Sequence, residues 1–417
     1  MHAPDYRCRR RRPARHRGDA RCLRPSRPSQ TRRRRVLHSA CSESAARSRA
    51  ADVDYATDDE SVPGVSVPCS ATTGLALDRC DFTKALGTLH FAADEGEKTF
   101  KVLISDDSYV EGTEVASLRL SNPGGGAALG PQAAATMTIT DDSPESAGNP
   151  IDDDEAFVRQ HYHDFLNREP DAAGLKFWTD NITSCGSNQQ CRQTKRIDTS
   201  AAFFLSIEFQ ETGYLVYRAY KVAYGDSTSP NVTGTVPVIR LHEFLTDTQR
   251  IGQNVVVGAD GWQTQLENNK QAFALEFVSR QRFTNAFPST MTAEDFVTKL
   301  DQNAGGVLSD DEKAQLANSL GATPADASKH AAVLRQVAEN ANLRRREFDR
   351  AFVLTQFYGY LRRNPDDAPD NNFAGWKFWL DKLEQFGGDF RRAEMVRAFI
   401  GDVRPGIKSP VGTAERF

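Results

Sequence analysis

The amino-acid sequence predicts a mixed architecture of separate domains, an N-terminal antiparallel β-sandwich followed by an all-α repeat region. Up to about residue 142, short runs of β-forming residues are separated by Gly, Pro, Asp or Asn. Beyond residue 152 the apolar residues instead recur at helical spacing, and one helical unit occurs twice. A chain of 417 residues is long enough for about two to four such domains.

The head of the chain, residues 1–51, predicts no folded domain. Residues 1–50 contain 16 Arg and three acidic residues, without any Lys. Such a run could be a nucleic-acid-binding arm, but it lacks interleaved aromatic residues, hydrophobic periodicity and the apolar stretch of a signal peptide. Its composition also resembles a GC-rich reading frame translated out of register. We therefore expect a disordered or mistranslated head and no nucleic-acid partner.

Residues 52–143 contain the predicted strands of the sandwich. The runs VDYAT, DFTKALGTLHFA, EKTFKVLIS, EVASLRLSN and AATMTITDD each end at turn residues. Regularly spaced short strands of this kind favour an antiparallel sandwich. From Asp52 to Glu145 there are 17 acidic and five basic residues, so this domain should attract cations and repel nucleic acid.

An acidic cluster follows the EKTFKVLIS run. The segment ISDDSYVEGTE places Asp106, Asp107, Glu111 and Glu114 within nine residues. Carboxylates crowded in this way repel one another until a divalent ion neutralises them, and Ca²⁺ prefers about six to eight oxygen ligands from adaptable loops. The alternative is that these acids are solvated turn residues, for which Asp is favoured in any case.

The order of these strands and acidic clusters resembles the Calx-beta domain, an immunoglobulin-like sandwich, over residues 53–142. That family begins with a further strand, and the Arg-rich head stands in its place. The resemblance therefore predicts either a sandwich that lacks its first strand or a gene model that omits it. It also implies a calcium site at one end of the sandwich, with the matching positions Asp81, Asp106, Asp107, Glu111, Glu114, Asp141 and Asp142.

Four cysteines outside the head form two local pairs, Cys69 with Cys80 and Cys185 with Cys191. Zinc sites favour CxxC knuckles or nearby His residues, which neither pair has. We therefore predict two disulfides, and hence an extracellular or cell-surface location, although no signal peptide is visible. No apolar run approaches the roughly 20 residues of a membrane span.

An acidic linker, residues 144–154, leads to the helical region. The unit FVRQHYHDFLNREPDAAGLKFW, residues 157–178, recurs as FVLTQFYGYLRRNPDDAPDNNFAGWKFW, residues 352–379, with six additional residues in its turn. The apolar spacing predicts a helix before each Pro-Asp turn and a second helix led by Phe-Trp. The predicted divisions are helical unit 1 at 155–225, an intermediate region at 226–345 and helical unit 2 at 346–417.

The repeated unit resembles DUF4214, a bacterial domain of unknown function that occurs in large exported proteins, and the first copy fits more closely than the second. In each copy the Trp of the Phe-Trp pair, Trp178 or Trp379, could stack on a sugar. Their helical neighbours favour the alternative that both belong to the core.

The sequence contains none of the common catalytic motifs GxSxG, GxxxxGK[ST], GxGxxG or HExxH in a suitable context. The predicted function is therefore a non-catalytic, calcium-binding adhesion or assembly protein of the cell surface or exterior. Its partner would be a surface or matrix protein or a glycan. The alternative is a carbohydrate-binding or accessory module of an exported enzyme system.

Overall fold

The computed structural model describes residues 36–41, 50–58, 73–78, 80–105, 110–140, 153–321, 326–367 and 370–401. The chain divides into two compact units. Unit 1 holds the described residues up to His163 together with Arg168–Ser184. Unit 2 holds Asp164–Asn167 and the described residues from Cys185 onward.

Unit 1 contains two antiparallel sheets, with the strand orders β1-β5-β3 and β4-β2-β6-β7. Nearly every predicted run forms a strand at the expected place, which confirms the predicted antiparallel sheet region. The strands are β1 (Val36–Cys41), β2 (Ala51–Asp58), β3 (Phe82–Thr83), β4 (Leu86–Phe91), β5 (Lys98–Ile104), β6 (Thr113–Ser121) and β7 (Ala134–Thr140).

The core of the sandwich is formed by alternate residues of both sheets. In β2, every second residue from Ala51 to Thr57 is buried, which is the period expected of a strand with one face inside. Tyr55 of β2 stacks on Phe100 of β5 with ring centroids 4.1 Å apart, so the two sheets meet at this pair. Aliphatic and aromatic residues of the other strands complete the same cluster.

The strand β1 corrects our expectation that residues 1–51 contain no folded element. It pairs antiparallel with β5, from Val36 opposite Leu103 to Cys41 opposite Lys98. It therefore occupies the sheet edge that a sandwich without its first strand would expose. Six residues next to an Arg run carry too little periodicity to be recognised alone. The rest of the predicted head, residues 1–35 and 42–49, lies outside the described residues.

The predicted run DFTKALGTLHFA crosses from one sheet to the other. β3 pairs with β5, whereas β4 pairs with β2. At the crossing, the Lys84 N–H donates to Asp78 Oδ1 at 2.7 Å and the Ala85 N–H donates to Thr57 Oγ1 at 2.9 Å. Because side chains accept these two amides, the backbone can leave one ladder before it joins the next.

Two helices follow the strands, α1 (Asp154–Leu166) and α2 (Ala172–Thr183). Asp153 caps the start of α1, since its Oδ1 accepts the Ala156 N–H at 2.8 Å. Asp171 caps α2 in the same way, by accepting the Gly174 N–H at 2.8 Å. The predicted Pro-Asp turn is therefore the N-terminal cap of the second helix.

Unit 2 is mostly helical, as predicted. One exception is a two-stranded antiparallel ladder of β8 (Asp226–Ser227) and β9 (Val236–Pro237), within a region for which only helices were expected. The helices are α3 (Gln189–Leu205), α4 (Ile207–Glu211), α5 (Gly213–Tyr224), α6 (Leu241–Gly252), α7 (Trp262–Ser279), α8 (Gln281–Ala286), α9 (Ala293–Ala304), α10 (Asp310–Leu320), α11 (Ala327–Ala338), α12 (Ala341–Arg346), α13 (Phe348–Tyr360), α14 (Ala374–Gln385) and α15 (Met395–Gly401).

The core of unit 2 is built around α5, which is buried from Gly213 to Ala223. Its three buried tyrosines keep their hydroxyl groups hydrogen-bonded inside the core. The Tyr217 hydroxyl donates to Glu347 at 2.8 Å and the Tyr220 hydroxyl donates to Asp247 at 2.9 Å. Such partners are what allow polar aromatic residues to be buried without a large desolvation cost. In the described part of the chain, no helix has both the length and the apolar character needed to cross a membrane.

The sequence repeat is also a structural repeat. The pair α13 and α14 reproduces the pair α1 and α2. Asn167 and Arg362, which occupy the same repeat position, both adopt left-handed backbone angles, with φ of 50° and 49°. The next residue in each copy, Arg168 or Arg363, places its guanidinium over the aromatic ring six positions earlier, at 4.9 and 5.7 Å. The start of the turn is therefore built alike in both copies, before the six additional residues of the second copy.

Candidate metal centre

Three buried carboxylates come together at one end of the sandwich. One oxygen atom from each of Asp81, Glu111 and Glu114 lies within 4.8 Å of the others. Asp81 and Glu114 are each 1% exposed, and Glu111 is 7% exposed. Two oxygens bound to one Ca²⁺ at about 2.3–2.6 Å can lie no more than about 5 Å apart. The three carboxylates are therefore close enough to share a single calcium ion.

Asp81 is held by the backbone around it. Its Oδ2 accepts the Leu77 N–H at 2.7 Å, and its own N–H donates to the Leu77 carbonyl at 3.0 Å. Its carbonyl accepts the Ser105 N–H at 2.9 Å, one residue after β5 ends. These bonds fix the carboxylate at the point where β3 begins.

The other two carboxylates are positioned by the start of β6. Glu114 is its second residue and lies opposite Ile139 of β7. Gly112 has a φ of 89°, a left-handed angle that lets the chain turn between Glu111 and the strand. The residue after Glu114, Val115, bonds through its carbonyl to the Ala76 N–H at 2.9 Å. The segment around Ala76 and the start of β6 therefore lie side by side next to the carboxylates.

Electrostatics make this arrangement costly without a cation. At an effective dielectric constant of about 20, two unit charges 4.8 Å apart repel by about 3.5 kcal/mol. Three ionised carboxylates would form three such pairs. A divalent cation replaces this repulsion with attraction, whereas protonation of one group only removes part of it. A divalent cation held between the three carboxylates would therefore stabilise this arrangement.

The other four predicted ligands, Asp106, Asp107, Asp141 and Asp142, lie outside the described residues. The elements that lead to them do reach the site. β5 ends at Ile104, and the next residue, Ser105, bonds to the Asp81 carbonyl. β7 ends at Thr140, opposite Thr113 of β6.

A disulfide joins Cys185 to Cys191 just before and within α3, as their spacing predicted. Cys80 is also disulfide-bonded. Its predicted partner, Cys69, lies outside the described residues. Because Cys80 directly precedes Asp81, this second covalent bond is adjacent to the carboxylate cluster.

The two tryptophans considered for sugar stacking are not the most exposed aromatic residues of the repeats. Trp379 is 9% exposed and packs 5.7 Å from Phe399, which is the core position that its helical neighbours favoured. Trp178 is half-buried. The residues before them, Phe177 and Phe378, are 63% and 50% exposed. Sequence reasoning missed these two, because a Phe-Trp pair does not by itself show which ring faces outward.

Two family models match the chain in the predicted order. Residues 51–143 match the Calx-beta domain, and residues 143–212 match DUF4214, a domain of unknown function. No curated protein matches the sequence.

Several solved structures are similar to part of the chain. The apo-form Calx CBD1 domain has 27% sequence identity and a TM-score of 0.22, and the match covers 26% of this chain and 83% of that one. CBD12 from CALX1.2 has 27% identity and a TM-score of 0.22, covering 26% and 38%. The calcium binding domain CBD12 of CALX1.1 has 26% identity and a TM-score of 0.21, covering 26% and 39%.

Proposed function

We propose that this chain is a calcium-binding protein of the cell surface or exterior, in which a calcium-stiffened sandwich carries a helical module used in adhesion or assembly. Its role would be binding rather than catalysis. The observation that carries the proposal is the buried cluster of Asp81, Glu111 and Glu114, with ligand oxygens within 4.8 Å of one another. The match of residues 51–143 to the Calx-beta model supports calcium as the ion.

The position of the cluster explains why an ion would stiffen the domain. Asp81 leads into β3, which belongs to one sheet, whereas Glu114 belongs to β6 in the other sheet. An ion bound by both carboxylates would therefore cross-link the two sheets at one end. Because binding requires the folded arrangement, its free energy adds to the stability of the fold.

Disulfide chemistry supports the proposed location. Cys185 is bonded to Cys191, and Cys80 is also oxidised. Disulfides persist in oxidising compartments, whereas the bacterial and eukaryotic cytosol keeps most thiols reduced. A surface or matrix protein or a glycan is the proposed class of partner for the helical module.

Thermal melting of the full chain in calcium and in chelator tests the proposal. A ligand at 100 times its Kd stabilises the folded state by about 2.7 kcal/mol, so the sandwich transition should move upward. The double variant Glu111→Gln with Glu114→Gln should lose this shift. Glu97→Gln is the matched control, since Glu97 is exposed and lies just before β5, at the end of that strand away from the cluster. An unchanged melting temperature in the unmodified chain would contradict calcium binding.

A further inference from the structure

The helices α2 and α14 present the same set of residues to solvent. Four positions of each helix, spaced as i, i+3, i+4 and i+7, carry the same residue types in both copies, and this spacing places them on one helical face. We call this the outward face. It consists of Ala173, Lys176, Phe177 and Asp180 in α2 and of Ala374, Lys377, Phe378 and Asp381 in α14.

Each outward face has an exposed ring next to an ion pair. Phe177 is 63% exposed, and Lys176 Nζ lies 2.7 Å from Asp180 Oδ2. In the second copy Phe378 is 50% exposed, and Lys377 pairs with Asp381 in the same way. A single exposed apolar residue is ordinary on a protein surface. The same exposed ring beside the same ion pair in both copies indicates a shared role.

The inward sides of the two helices are less alike, although both keep the Trp of the Phe-Trp pair. Leu175 of α2 corresponds to Trp376 of α14, and both are buried. Ile182 corresponds to Leu383, and both have no exposed surface. Packing requires buried residues to fit their own surroundings, so these have changed between the copies. In each copy the Phe ring packs edge-on against the neighbouring Trp, with centroids 5.0 and 5.1 Å apart, yet half or more of the Phe stays exposed. Exposure of that size in both copies points to contact with another molecule.

We propose that the outward face docks on the outward face of a second copy of this chain. Each face carries Lys toward its N-terminal end, Asp one turn later and Phe between them. When two such faces meet antiparallel, the Lys of one copy lies opposite the Asp of the other, and the rings meet near the two-fold axis. The face is therefore complementary to itself in charge and apolar character. This inference rests on the assembly role proposed above.

Two outward faces on each chain have a consequence for assembly size. If each face pairs with a face on a separate copy, the chains associate beyond dimers as the concentration rises. Replacing one ring, in Phe177→Ser or in Phe378→Ser, leaves a single face and should stop association at the dimer.

Sedimentation equilibrium of the full chain tests the proposal. Exposed aromatic anchors at the centre of an interface often contribute more than 1 kcal/mol. The double variant Phe177→Ser with Phe378→Ser should therefore raise the Kd of self-association at least about tenfold. Leu275→Ser is the matched control, because Leu275 is 47% exposed on α7, a helix that belongs to neither outward face, and its replacement should leave the Kd unchanged.

Paired charge variants identify the occupant as a second copy. Lys176→Asp with Lys377→Asp gives faces with two acids, and Asp180→Lys with Asp381→Lys gives faces with two bases. Each variant alone should sediment as a monomer, whereas an equimolar mixture of the two should associate. Circular dichroism and melting confirm that each variant is folded.

Self-association is measured in calcium and in chelator so that the two proposals can fail separately. An unmodified chain that stays monomeric up to about 100 µM overturns the docking proposal, whether or not calcium raises its melting temperature. Association that persists in both Phe→Ser replacements, or that fails to return in the mixture of charge variants, also overturns it. Association without any calcium effect supports the docking face and contradicts only the calcium site.

Discussion

The carboxylate cluster predicts that one substitution will have opposite effects with and without calcium. Glu114→Gln keeps the size of the side chain and removes one charge. It eliminates two of the three repulsive pairs, each about 3.5 kcal/mol if the groups are 4.8 Å apart and fully ionised. Against this gain, burying the Gln amide without all of its hydrogen-bond partners lowers the folding stability by about 1–3 kcal/mol. Partial protonation of the unmodified cluster reduces the gain further.

We therefore expect Glu114→Gln to be more stable than the unmodified chain in chelator at pH 7, by at most the remaining difference of about 4–6 kcal/mol. Calcium at 1,000 times its Kd adds about 4.1 kcal/mol to the unmodified chain, and the variant loses most of this, so the order should reverse once that loss exceeds the gain. For a domain of this size, each kcal/mol moves the Tm by about 4–8 °C. The two melting curves should thus exchange places when calcium is added.

Hydrogen exchange followed by mass spectrometry locates this effect within the full chain. All four tryptophans lie beyond the sandwich, so their fluorescence does not report its unfolding directly. Peptides from β2 and β6 should exchange more slowly in Glu114→Gln than in the unmodified chain in chelator, and faster in calcium. If these peptides exchange faster in both conditions, the carboxylate is a structural hydrogen-bonding group and the electrostatic reasoning is wrong.

Two further predictions concern the first helical repeat. Gly174→Ala should lower stability by about 1 kcal/mol or more in urea unfolding, because the added Cβ meets the Tyr162 hydroxyl. Gly375→Ala, the same position in the second copy, should be tolerated, since the nearest atom is 3.5 Å from its Cβ. Burial opposes the ionisation of Glu169, but hydrogen bonds and charge attraction from His163 and Arg159 together outweigh it and hold the pKa of Glu169 below its usual 4.5. These contacts should therefore stabilise unit 1 fully above about pH 4.5 and less as the pH falls through the lowered pKa, a loss that Glu169→Gln should remove from a pH series of melting curves.

The sequence predicted the strands whose alternation is visible along the chain. β2, β5, β6 and β7 each alternate between buried and less buried residues over several positions. The crossing between β3 and β4 was missed because its amides are accepted by Asp78 and Thr57, which local periodicity does not reveal. β1 was missed because only its pairing with β5 makes those six residues a strand.

The candidate site was predictable in type and only partly in detail. Asp81, Glu111 and Glu114 were named from the acidic clusters and the resemblance, and the structure brings these three together. Their burial could not be read from the sequence, because it depends on backbone segments that are distant along the chain. The exposed ring Phe177 was missed for a simpler reason, since the sequence does not show which residue of a Phe-Trp pair faces outward.

The strand β1 has a practical consequence for anyone who expresses the sandwich alone. The family match begins at residue 51, which suggests a natural starting point for a fragment. Such a fragment would omit Val36–Cys41 and leave one side of β5 without a partner from Lys98 to Leu103. Unpaired strand amides recruit any available extended peptide, including the same strand of a neighbouring molecule. Aggregation of that fragment would thus result from the choice of its first residue. A synthetic VLHSAC peptide added to the fragment should suppress this aggregation.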